Sequence, residues 1–179
     1  MPKRLPQEFY NQKTIKVAKK LIGKYLVRKV GQKILIGQIT ETEAYCGLKD
    51  LASHASRGQT PRTKIMFGQP GYWYVYLIYG MYYCLNIATE EKNNPCAVLI
   101  RSVKPISGLP KNIKTDGPGK LCRVFKITKK ENGTRGFGAT NLWIEDWGAK
   151  IPKIKSAPRI GVDYAGVYKD KKWRFYIED

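Results

Sequence analysis

Histidine occurs once in this sequence, at position 54, and cysteine four times, at 46, 84, 96 and 122, with no C-x-x-C spacing. That supply is too thin for a Cys2His2 zinc site or a histidine-rich hydrolytic centre, and it predicts reduced, mostly buried thiols. Acids are scarce too: 14 Asp and Glu stand against 33 Lys and Arg, a formal charge of +19 over 179 residues. Metal-dependent nucleases gather several carboxylates, whereas only Asp50 and the distant Asp116 accompany Glu41 and Glu43 here, so neither metal nor other cofactor is expected. No apolar run approaches the roughly 18 residues of a membrane span, and the opening MPKRLPQEFYNQ lacks the apolar stretch of a secretory signal. These absences predict an intracellular, cytoplasmic chain with no membrane partner.

What is present is a foldable composition under heavy charge. With 42% apolar and aromatic residues the chain can bury a core. Its length fits one domain over 1–179, with residues 1–12 read as an arm laid over the surface or loosely held. So large a surplus of cations opposes compaction and points to a polyanionic partner.

The spacing of Ile15, Ala18, Leu21 and Ile22 predicts a helix capped by Thr14 and ended by Gly23. β-Branched and apolar residues on both sides of Gly31-Gln32 predict a hairpin of residues 25–30 with 33–45. Residues 46–71 are rich in glycine and interrupted by Pro61 and Pro70, the signature of a long functional loop with one short helical turn. Strands are expected at 72–79, 82–89 and 96–103 as a meander, a helix from Pro118, and short strands near 142–145, 159–162 and 173–177. The total is an α+β domain: a curved, mainly antiparallel, barrel-like sheet flanked by a few helices.

Two features can carry chemistry. Seven aromatic residues lie between 72 and 83; Tyr72, Tyr74 and Tyr76 share a strand face, while Tyr79 falls on the other phase beside Gly80, where it can project from a strand end. Aromatics beside a basic surface suit the stacking of unstacked nucleotides. Glu41 and Glu43 share one face if their strand is regular, and His54 can fold back toward them from its loop. A lone carboxylate activates water without a metal if the leaving group is good. Arg101 in an apolar strand and the loop residues Arg57 and Arg62 are the better candidates for directed phosphate contacts. Gly117-Pro118-Gly119-Lys120 lacks the spacing of a complete phosphate loop.

The segments Glu41-Thr42-Glu43-Ala44-Tyr45, Ala52-Ser53-His54, Arg57-Gly58-Gln59-Thr60-Pro61-Arg62 and Tyr74-Val75-Tyr76-Leu77-Ile78-Tyr79-Gly80-Met81 occur in that order. With Cys84-Leu85-Asn86, Val98-Leu99-Ile100-Arg101 and Gly117-Pro118-Gly119-Lys120-Leu121-Cys122 they closely resemble the alkyladenine (3-methyladenine) DNA glycosylase family, over essentially the whole chain. The resemblance implies a monofunctional, cofactor-free enzyme of base excision repair. Such an enzyme flips 3-methyladenine or 7-methylguanine, with hypoxanthine and ethenoadenine as further candidates, out of duplex DNA and hydrolyses the N-glycosidic bond as a monomer. It implies Glu43 as the base that activates water, Tyr45, His54, Tyr76 and Asn86 as the base pocket, and Tyr79 as the wedge filling the vacated stack. Arg101 is implied near the carboxylate and the DNA backbone, with Met81, Tyr82, Arg57 and Lys120 as further DNA contacts. Tyr82 stands where the family often has histidine, and Leu48 where it often has proline. The short N-terminus is that expected of a prokaryotic form. Two other readings remain: a non-catalytic basic and aromatic nucleic-acid-binding module, and a glycosylase/lyase in which a lysine attacks C1′.

Overall fold

The computed structural model describes residues 2–110 and 112–178. Within these, the described N-terminal residues pack against the rest of the domain. Lys3–Arg4 (β1) pairs with Glu145 and Asp146, Gln7–Tyr10 (α1) forms one helical turn, and Leu5 and Tyr10 are buried. Burying two such side chains offsets the entropy of a free chain end.

Thr14–Leu21 (α2) buries Val17, Ala18 and Leu21 on one stripe, as the spacing predicts. Thr14, however, is its first helical residue, and the cap position falls to Lys13, which offers no side-chain hydrogen bond. The cap comes from far along the chain: the Glu90 carboxylate accepts the Thr14 backbone N–H at 2.9 Å and its hydroxyl at 2.7 Å. Burial alone would raise the Glu90 pKa, but these two hydrogen bonds and the Lys13 charge reverse that and hold it below the ordinary value. Its stabilising effect is therefore complete above the ordinary glutamate range and is lost as pH falls through the lowered value. Glu90→Gln should cost about 1 kcal/mol in urea denaturation at neutral pH, with the difference from the parent shrinking in acid.

The sheet comprises Tyr25–Val30 (β2), Lys33–Cys46 (β3), Trp73–Ile78 (β4), Tyr82–Thr89 (β5) and Cys96–Ser107 (β6), then Leu142–Asp146 (β7), Lys155–Ala157 (β8) and Arg174–Tyr176 (β9). Pro118–Val124 (α3) follows β6, with Pro118 in the first helical turn. The strand order is β1-β7-β2-β3-β6-β5-β4, every named pairing is antiparallel, and β9 joins β3 and β8. Among the described residues the sheet stays open, with β1 and β4 at its ends, in the expected α+β architecture. No described helix is long and apolar enough to cross a membrane.

One expected strand is missing. Residues 159–162 form an irregular loop and the strand lies earlier, at Lys155–Ala157. Gly161 is in the left-handed region at φ +73° and Arg159 is buried in an ion pair, both of which prevent a regular ladder there.

β3 crosses the sheet and changes phase on the way. Leu35 and Ile39 face the core on odd positions, whereas Thr42 and Ala44 do so on even ones. The register slips twice between Ile39 and Thr42, leaving Thr40 and, on β6, Arg101 without a partner in the β3–β6 ladder. Without that bulge Glu43 would point into the apolar core. Beyond it, the Thr42 hydroxyl donates to the Ala18 carbonyl at 2.9 Å and ties the strand to α2.

Candidate active site

A single cross-strand row builds the site. Glu43 on β3 lies opposite Leu99 on β6, Leu99 opposite Asn86 on β5, and Asn86 opposite Tyr74 on β4. Residues directly opposite share a face, so four strands present these side chains to one side of the sheet. One step along β4 and β5, Tyr76 lies opposite Cys84 on the same face. The loops at 52–54 and 160–164 close the other side and enclose a cavity of about 540 Å³, lined by Glu43, Tyr45, His54, Tyr76 and Asn86 among others. That volume suits a flat, base-sized ligand.

Glu43 has no solvent exposure. One carboxylate oxygen accepts the Tyr45 hydroxyl at 2.8 Å; the other accepts the Ile160 backbone N–H at 2.9 Å and lies 3.7 Å from an Arg101 guanidinium nitrogen. Burial raises its pKa above the ordinary glutamate value, and Arg101, the Ile160 amide and the Tyr45 hydroxyl oppose the rise without cancelling it. Arg101 is shared: its Nε donates to Glu41 at 3.2 Å, and Glu41 also accepts from Arg174 at 2.9 Å. Glu41 is thereby committed to structure, and Glu43 alone is turned to the cavity.

His54 begins a short 3-10 turn, His54–Arg57, whose start is capped by the Ser53 hydroxyl accepting the Ala55 N–H. Its Nδ1 lies 2.9 Å from the Tyr74 hydroxyl and its ring meets Tyr76 edge-on, centroids 4.6 Å apart. Among the described residues His54 makes its hydrogen bond to Tyr74 and none to Glu43; it walls the cavity. Burial, helped by the Arg62 and Arg57 charges, holds its pKa down to about 4, so the ring is neutral at physiological pH. The Arg62 guanidinium sits 5.0 Å from the Tyr76 ring centroid. Asn86 is fixed by its amide, which donates to the Tyr74 carbonyl at 3.1 Å and more weakly to that of Cys84.

Tyr79 stands at the rim. It occupies the β4–β5 turn at φ +50°, a left-handed conformation unusual for a bulky residue, and is 87% exposed. Met81 beside it is also exposed. Tyr82 packs down onto α3: a Cβ on Gly119 would come 2.9 Å from its ring, which is why glycine stands there. Gly119→Ala should push Tyr82 off this seat and cost about 1–3 kcal/mol of thermal stability.

Of the residues singled out in the sequence, Glu43, Tyr45, His54, Tyr76, Tyr79, Asn86, Arg62 and Arg101 converge on one cavity. Arg57 lines a neighbouring depression, and Lys120 is an exposed side chain paired at 3.0 Å with Asp116. The four cysteines are free, three of them buried and Cys46 half-buried. Among the described residues no three of His, Cys, Asp and Glu are grouped to hold a metal ion. Two contributors are not visible in the sequence. The Ile160 amide leaves no trace in side-chain identity, and Tyr74 reads as an aromatic of the strand face without showing that it partners His54.

The methylpurine-DNA glycosylase family model matches residues 8–179. A protein of Methanocella arvoryzae is 49% identical over 183 residues, covering 96% of this chain and 91% of its own. One of Legionella pneumophila is 48% identical over 178 residues, covering 99% and 96%, and one of Myxococcus xanthus is 44% identical over 177 residues, covering 98% and 90%. All three bear the name "Putative 3-methyladenine DNA glycosylase".

Proposed function

Because the chain belongs to the methylpurine-DNA glycosylase family and is thus a DNA-repair hydrolase of N-glycosyl bonds, we propose that it flips alkylated purines into the Glu43 cavity and releases them by hydrolysis at C1′. The observation that carries this reading is the fully buried Glu43 carboxylate at an aromatic cavity, in a chain with 14 acids in all.

In this mechanism the lesion leaves the stack and Tyr79 enters the gap, offsetting part of a flipping cost of a few kcal/mol. Tyr45, Tyr76 and the neutral His54 hold the base. Alkylation at N3 or N7 makes the purine cationic, and the tyrosine faces attract that charge while an uncharged His54 does not repel it. Asn86, held by the Tyr74 and Cys84 carbonyls, is assigned the exclusion of normal guanine through that base's extra amino group. As the glycosidic bond breaks, positive charge moves to the sugar. The Glu43 carboxylate stabilises it and takes a proton from the attacking water, each oxygen keeping a lone pair beyond its present hydrogen bonds.

The same geometry supports a ranking of substrates. A cationic base leaves unaided, whereas hypoxanthine and ethenoadenine need a proton. His54 titrates near 4, and burial pushes the Tyr45 and Tyr76 hydroxyls well above their usual value. On duplexes carrying one lesion each, 3-methyladenine and 7-methylguanine should be released at least tenfold faster than hypoxanthine at saturating protein. Equal rates would reject the ranking, and no release from any of them would reject the reading. Binding to undamaged duplex should weaken steeply with salt, given the +19 charge.

Among the described residues no lysine lines the cavity, which favours water over an amine as the nucleophile. Borohydride should trap no covalent adduct with DNA. The protein is taken to act as a monomer on duplex DNA in a prokaryotic cytoplasm.

A further inference from the structure

We infer that the buried Arg159–Asp50 pair is a positioning device for the Glu43 carboxylate, holding the Ile160 amide and the Tyr45 ring in the places from which they act on it. This rests on the role proposed above for Glu43.

Arg159 and Asp50 both have fully buried side chains and meet in a two-pronged contact, Nη1 to one carboxylate oxygen at 2.6 Å and Nη2 to the other at 2.8 Å. Each partner also grips backbone next to the site. Arg159 donates to the carbonyl of Ala44, the residue between Glu43 and Tyr45, at 2.9 Å, and to that of Tyr168 at 3.2 Å. Asp50 accepts the N–H of Cys46 at 3.0 Å and of Ala52 at 3.1 Å. The guanidinium lies 4.8 Å from the Tyr45 ring centroid and 5.1 Å from that of Trp173, so it stands behind the tyrosine that hydrogen-bonds Glu43. The next residue in the chain is Ile160, whose N–H is the backbone donor to Glu43.

One ion pair thus clamps three segments that converge on a single carboxylate: 44–46, 50–52 and 159–168. Burying two charges gives little net stability compared with apolar side chains, and Arg159 Nε has no partner among the described residues, a further cost. An apolar pair would fill the space but could not fix the two carbonyls and two amides in register. The planar fork of arginine can, and the single ammonium of lysine cannot. A displacement of about 1 Å at a catalytic group can slow a reaction roughly a hundredfold.

The test uses the full-length protein and single-turnover base release from 3-methyladenine duplex, measured across pH. The groups facing Glu43 are Arg101 from β6, Tyr76 from β4, Cys84 from β5, and Glu41 and Tyr45 from its own strand, with Arg174 of β9 bound to Glu41. None is altered in Arg159→Lys, so a moved acid limb reports the lost positioning. Loss of the Ile160 amide removes a group that favours the charged carboxylate, so the limb should move to higher pH, by roughly half a unit. The maximal rate should fall about tenfold or more, with damaged-duplex affinity within about threefold of the parent. Arg28→Lys, at the largely buried Arg28–Glu131 pair away from the site, controls for disturbing such an ion pair and should leave the acid limb in place. If Arg159→Lys folds and its acid limb and rate match the parent's, the inference is overturned. Should that variant not fold, Ile160→Pro, at a half-exposed side chain, deletes the amide hydrogen and leaves the ion pair; an unmoved acid limb there overturns the inference equally. Failure of the parent itself to release base would instead reject the role of Glu43.

Discussion

Glu43→Gln is expected to leave binding of damaged duplex within a few-fold of the parent and to slow base release by roughly 10³-fold or more. The substitution keeps the size of the side chain: its amide oxygen can still accept from the Ile160 N–H, while its NH2 faces Tyr45 and donates to that hydroxyl oxygen instead of accepting from it. It removes both the negative charge opposite the developing cation and the site that takes the proton of water. Single-turnover release measured beside a gel-shift titration separates the two quantities; a variant as fast as the parent would end the assignment. The pH profile offers a second reading of the same group. Burial raises the Glu43 pKa, and catalysis needs the carboxylate, so release should fall with acidity at a pH above that of an ordinary exposed glutamate. His54 does not contribute to that limb until near pH 4.

Tyr79→Ala should weaken binding to lesion-containing duplex by roughly ten- to a hundredfold, while binding to intact duplex changes little. A stacked aromatic is worth about 1–3 kcal/mol per base, and that stacking is available only where a base has left. A fluorescent base analogue at the lesion should remain stacked on addition of the variant; normal unstacking would refute the wedge. The backbone supplies an independent check. Tyr79 holds φ +50°, a region costing a non-glycine residue about 1 kcal/mol or more. Tyr79→Gly should therefore match or exceed the parent in thermal stability while failing to flip. A residue that holds a left-handed conformation and is 87% exposed at the turn is best explained by work done at the surface.

Much of the site was legible in the chain because the chemistry fixes residue types and the strands fix their phase. Tyr74 and Tyr76 share a face by the period of two, and Tyr79 leaves it at the glycine turn, as the spacing of the cluster predicts. The illegible parts are those in which side-chain pattern is silent. Regular alternation alone would place Glu41 and Glu43 together, and so they are, but only the bulge near Thr40 turns that face of β3 toward the cavity rather than the core. The loop at 159–162 reads as a strand from its apolar residues; its conformation follows from Gly161 and from an ion pair whose partner lies more than a hundred residues away. The N-terminal residues read as an arm laid over the surface or loosely held because two prolines and two cations conceal the burial of Leu5 and Tyr10.

By itself the sequence determined the charge surplus that suits a polyanionic partner and the antiparallel strands, and its resemblance to the family implied which side chains are proposed to react and to stack. These depend on composition, local period and motif, which are properties of the chain before it folds. The tertiary structure decided which of two neighbouring glutamates is free to act, the direction in which its proton affinity is pushed, and the charge state of the one histidine. Those depend on desolvation and on contacts between distant segments: Arg101 from β6, the Ile160 amide, and the Arg159–Asp50 clamp behind Tyr45. Proton affinity is set by what surrounds a group, and only the fold brings those surroundings together.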